Sequence, residues 1–120
     1  MAKILVHLTH GPEHPTRAAL AFLVAKSAID EGHSVSMFLA GDAVQLIRDA
    51  VLDNLTGLAT GELRAHFDAI VSGGERFYLS GMSSKGRGVT DEDLQDKPEE
   101  FAKPNVLVQL ALDHDRKFTY

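Results

Sequence analysis

The chain has no cysteine. That absence excludes disulfides, thiolate zinc sites, iron–sulfur clusters and cysteine nucleophiles together. It has no basic excess either, with twelve Lys and Arg against seventeen Asp and Glu and a net charge of −5. Nucleic acid and anionic membrane surfaces both select a basic face, so neither is an expected partner. Long hydrophobic runs are missing as well. The amino end offers only Ile4-Leu5-Val6, too short for a signal peptide or a membrane span, and the cytoplasm is the expected location. No repeat or low-complexity tract is present. What remains is ordinary for one domain: 120 residues, 44% of them apolar, able to bury a sizeable core.

Hydrophobic patterning predicts alternating strands and helices. Lys3 to Thr9 reads as a strand buried on both faces, because Ile4, Leu5, Val6 and Leu8 are nearly continuous. His10 to Pro15 is a loop, and a helix follows from Thr16 to Glu31. Ala18, Phe22, Ala25 and Ile29 form one apolar stripe of that helix. Leu20, Leu23 and Val24 lie off the stripe, which predicts a second buried side and a subunit contact. A strand from His33 to Ala40 places Val35, Met37 and Leu39 on one face. Asp42 is the expected N-cap of a helix from Ala43 to Leu52, and Asn54 to Gly61 reads as loop. A helix from Glu62 to Ser72 turns Leu63, Phe67, Ile70 and Val71 inward. Thr90 is expected to cap a short turn, and Glu100 to Ala102 to form an edge strand. Pro104 starts a helix to Asp113 that buries Leu107, Leu110 and Ala111, and Lys117 to Tyr120 is the last strand. This alternation predicts a mainly parallel sheet with helices on both faces.

Arg76 to Gly88 is the stretch on which the function reading turns. Phe77-Tyr78-Leu79 favours a strand, and Gly81, Gly86 and Gly88 predict a glycine-punctuated turn after it. Ser80 then sits where a strand ends and a loop opens. Ligands of open α/β sheets bind outside the carboxyl ends of the strands. Three loops converge there: Thr9 to Arg17, Ala40 to Asp42, and Ser80 to Gly88. They offer His10, His14, Arg17, Asp42, Ser80, Ser83, Lys85 and Arg87 as candidate ligand-binding residues for a small anionic or polar molecule. His7 and His10 point to opposite sides of a strand, and only Glu13 and Asp42 lie near His10 and His14, so no metal site is expected. Ser80 or Ser83 would need a base such as His10 or His14 to act as a nucleophile, and no nucleophile-elbow pattern flanks them. The glycine run matches neither a phosphate loop nor a dinucleotide fingerprint. His33, His66 and His114 read as solvated residues at helix ends.

The chain resembles the DsrE-like family, which includes sulfur-relay subunits of the TusD type and YchN-like proteins. The resemblance spans nearly the whole chain. It rests on Gly11-Pro12-Glu13-His14-Pro15-Thr16-Arg17 after the first strand, then on Ala28 to Val35 and Phe38 to Val44. It continues through Ser80 to Val89 and the tail Leu110 to Tyr120. It implies a single domain over residues 1–120, a three-layer α/β/α sandwich with a mainly parallel sheet of about five strands. It also implies homotrimers or homohexamers. In sulfur-relay members a cysteine at the end of the central strand carries a persulfide, often within a Cys-x-x-Cys pair. Ser80 and Ser83 occupy those positions here, and a hydroxyl forms no persulfide.

The expectation is therefore a homo-oligomeric, non-catalytic module that binds a small ligand or supports assembly, with no cofactor and no assigned catalytic residue. The alternative is an enzyme of another class using Ser80 or a first-loop histidine. An accessory subunit in sulfur transfer stands third.

Overall fold

The computed structural model describes residues 1–120. In chain order the elements are β1 (Lys3–Leu8), α1 (Pro15–Asp30), β2 (Ser34–Leu39), a 3₁₀ segment Gly41–Ile47 and α2 (Asp49–Leu52). A small ribbon of β3 (Thr56–Gly57) and β4 (Gly61–Glu62) follows, then α3 (Leu63–Ser72), β5 (Arg76–Ser80) and α4 (Gly81–Gly86). A 3₁₀ turn Asp91–Leu94, β6 (Glu99–Ala102), α5 (Pro104–Asp113) and β7 (Arg116–Thr119) complete the chain. Five strands form one sheet in the order β6-β5-β2-β1-β7, and every neighbouring pair is parallel.

The apolar run of β1 explains its central place. Ile4, Val6 and Leu8 join the large core beneath α1 and α3, while Leu5 faces α5, and all four are buried. The pattern of β2 does the same with Val35, Met37 and Leu39 on one side and Phe38 on the other. Helix α1 turns Ala18, Ala19, Ala21, Phe22, Ala25 and Ala28 inward. Small residues let it approach the sheet closely. Phe22, Phe67 and Phe77 stack across that space at centroid distances of 5.9 and 5.2 Å. The two faces are unequal. The α1 side holds a cluster of 24 buried residues, the α5 side only Leu5, Phe38 and Ala102, so α5 is a thin cover.

Several boundaries differ from expectation. The stretch after β2 is not one helix with Asp42 at its cap. It is the 3₁₀ segment, then extended backbone at Arg48, then the single turn α2. The Asp42 carboxylate is taken by Arg87, and Arg48 reaches the carbonyl of Arg87, so tertiary partners replace the local cap. Asn54 to Gly61 contains the β3–β4 ribbon rather than plain loop. Leu107, Leu110 and Ala111 of α5 are half-buried, and no residue of α5 is fully buried. Leu20, Leu23 and Val24 of α1 are also half-buried. No helix is long and apolar enough to cross a membrane.

Candidate functional site

Gly81 to Gly86 is a helix, not the glycine-punctuated turn the sequence suggests. Ser80 accounts for it. Its Oγ accepts the N–H of Ser83 at 3.2 Å, which caps the first turn of α4 at the end of β5. Ser83 Oγ in turn accepts the N–H of Gly41 at 2.9 Å. This bond ties the exit of β5 to the exit of β2, where Gly41 adopts φ +57°. Arg87 then donates from Nε to Asp42 at 2.8 Å and from Nη1 to the carbonyl of Ser83 at 3.2 Å. Ser80, Ser83, Asp42 and Arg87 thus form one linked cluster.

The first-loop residues form another. Arg17 donates to His10 Nε2 at 3.2 Å, and His10 Nδ1 meets Thr9 Oγ1 at 3.4 Å. The rings of His10 and His14 stand edge to face with centroids 5.0 Å apart. A cleft of about 670 Å³ opens beside His14, Arg17, Leu20 and Thr119. The amino end of α1 points the same way, with no acidic residue in its first turn and no side-chain cap. The helix amino end and the Arg17 guanidinium favour an anion there.

Backbone packing brings the two clusters side by side. A Cβ on Gly11 would lie 2.1 Å from the carbonyl oxygen of Asp42, so only glycine lets the first loop touch the β2 exit. No side-chain hydrogen bond links His10, His14 or Arg17 to Ser80, Ser83, Asp42, Lys85 or Arg87. Lys85 belongs to neither cluster. It lines a separate cleft with Met82, Phe101 and Lys103.

The geometry gives Ser80 and Ser83 structural duties. Each hydroxyl accepts a backbone N–H, and neither has a histidine within hydrogen-bond reach to act as base. Three histidines expected in solvent are half-buried and bonded instead. His33 accepts from the N–H of Ala2 at 2.9 Å, His66 donates to the carbonyl of Thr60 at 2.7 Å, and His114 donates to that of Leu110 at 2.6 Å. His33 ties the start of β1 to the start of β2, His66 closes the β4 ribbon onto α3, and His114 closes the last turn of α5 while its Nε2 meets Ser36 Oγ at 3.1 Å, so each is part of the scaffold. Sequence reasoning missed Ser84, which is buried with an unpartnered hydroxyl, Phe101 on the same cleft, and Lys103 on the adjoining one. The Ser-x-x-Ser spacing of a cap and its third helical residue was the available signal for a helix here.

The sequence model of the DsrE/DsrF-like family matches residues 2–120. The chain belongs to the DsrE/DsrF-like family. Its fold is similar to that of the ychN protein from E. coli, with a TM-score of 0.82 at 18% identity over 100% of both chains. It is also similar to BT1422, a conserved protein of unknown function from Bacteroides thetaiotaomicron, with a TM-score of 0.73 at 10% identity. That match covers 99% of this chain and 95% of the other. No curated protein sequence matches the chain. Membership and fold together make the parallel five-stranded α/β domain of this chain a DsrE-type domain, and one without a thiol anywhere.

Proposed function

We propose that this DsrE-family protein is a non-catalytic, self-associating module that binds a small anion at the carboxyl ends of its strands. One observation carries the non-catalytic part. At the positions where sulfur-relay relatives are expected to hold cysteine, Ser80 and Ser83 spend their hydroxyls on backbone N–H groups. A thiolate is the species that attacks and holds sulfane sulfur, and this chain has none. A hydroxyl near neutrality attacks nothing without a positioned base. Support for an anion comes from Arg17, His10 and His14 gathered at the amino end of α1 beside an open cleft. Support for self-association comes from α5, which leaves Val108 and Leu112 exposed.

The test uses wild type and Ser80→Cys, each incubated with a cysteine desulfurase and sulfur-labelled cysteine. Wild type is expected to stay unlabelled. Label on Ser80→Cys alone marks a relay scaffold without its carrier, and label on wild type overturns the proposal. Titration with inorganic phosphate tests the anion. Saturable binding that Arg17→Ala weakens about tenfold is expected, as for loss of one charge-assisted contact. Equal binding by both proteins refutes that site.

A further inference from the structure

A second cleft lies on the opposite edge of the sheet from α1's amino end. It opens between α4, β6 and the start of α5, with a volume of about 600 Å³. That is within the range that holds small-molecule ligands. Met82, Phe101 and Pro104 supply its apolar walls. Met82 is 76% exposed, so its side chain is open to a ligand in the cleft.

Its polar groups share one sign. Lys85 and Lys103 stand at the cleft, no carboxylate lines it, and neither ammonium takes part in an ion pair or hydrogen bond within the protein. Lys3, Lys26 and Lys97 each hold an acidic partner, whereas Lys117, on the far edge strand, holds none. The amino end of α5 adds to the positive potential, since its first turn has no acidic residue and no side-chain cap.

An independent feature lies behind the shared wall. A smaller cleft of about 400 Å³ adjoins the first through Gly81, Lys85 and Phe101, and it too has no acidic residue. Ser84 lines it at 1% exposure, and its hydroxyl has no partner in the protein. The nearby N–H groups of Arg87 and Val89 go to the carbonyl of Ser84, not to its Oγ. A buried hydroxyl without a partner is costly, so the wall shared by the two clefts carries an unmet polar group.

We propose that this double cleft binds a small organic anion with an apolar body, of the class of medium-chain carboxylates. The apolar body lies on Met82, Phe101 and Pro104. The carboxylate sits between Lys85 and Lys103 at the start of α5. The site is separate from the first-loop cluster and does not depend on the anion proposed there.

The probe is octanoate, titrated by calorimetry into wild type, with octanol and acetate as partners that lack the charge or the apolar body. Octanoate is expected to bind saturably, and octanol and acetate at least about tenfold more weakly. The double variant Lys85→Glu/Lys103→Glu is expected to lose about tenfold or more in affinity, while Lys117→Glu on the far edge strand retains it. Unchanged thermal melting of each variant separates lost binding from lost structure. The proposal is overturned by no saturable binding at millimolar octanoate, by octanol binding as tightly, or by equal affinity in the charge-reversed double variant.

Discussion

Glu99 stands on β6 facing Phe77, with both carboxylate oxygens buried and unpartnered. Lys97 is close enough to oppose the effect but is already bound to the Asp93 carbonyl at 2.9 Å and to Asp49 at 3.2 Å. Burial therefore pushes the Glu99 carboxyl up from its ordinary 4.5 to about 8. A folded-state value above the unfolded one stabilises the fold fully below pH 4.5 and loses that contribution as pH rises through 8. The full shift is worth about 5 kcal/mol and partial exposure of Glu99 reduces it, so stability of wild type should fall across this window by on the order of 3 kcal/mol. Glu99→Gln should flatten the slope, and urea midpoints measured from pH 5 to pH 9 would show it. A slope of equal size in Glu99→Gln would refute the assignment. His7 works on the acid side. Burial holds its imidazole below the usual histidine value, so its contribution is present above pH 6.5 and fades as pH falls further.

Loop and helix contacts govern the element scale. The first loop can meet the β2 exit only because residue 11 has no Cβ, which would otherwise fall 2.1 Å from a backbone oxygen. Gly86, the last residue of α4, has open space around its missing Cβ and carries no positive φ. The two glycines should therefore respond differently to alanine. Gly11→Ala should cost roughly 1–3 kcal/mol through overpacking, whereas Gly86→Ala, at the helix end, should be neutral or gain about 0.5 kcal/mol by propensity. Denaturation midpoints at constant m-value decide the matter. A neutral Gly11→Ala would mean that the two loops are not locked together.

At the scale of the whole molecule, the sheet is covered unequally. A cluster of 24 buried residues lies under α1 and α3, while α5 alone shields Leu5, Phe38 and Ala102. Val108 and Leu112, one helical turn apart on α5, are 59% and 83% exposed. A second copy of the chain, seated on this helix, is the occupant we expect. Light scattering should give a trimer or larger against the 13.0 kDa chain, and Val108→Glu/Leu112→Glu should shift it to monomer. A monodisperse 13.0 kDa wild type would refute self-association, and an unchanged oligomer in the variant would move the interface elsewhere.

The order of strands and helices was legible in the sequence because burial imposes its period directly. The runs of β1, β2 and α3 needed no partner to be recognised, and neither did the missing thiol at Ser80 and Ser83. Three-dimensional contact decided the rest. Whether Gly81 to Gly86 coils or turns depends on Ser80 capping it and Ser83 anchoring Gly41, a bond between residues 42 apart. Whether Asp42 caps a helix depends on Arg87, 45 positions away. The gathering of candidate residues into two clusters, with Lys85 apart on a third surface, is likewise a matter of which loops touch. Periodicity reports the neighbours of a residue along its own element, while a site is made of side chains whose proximity only the packed sheet creates.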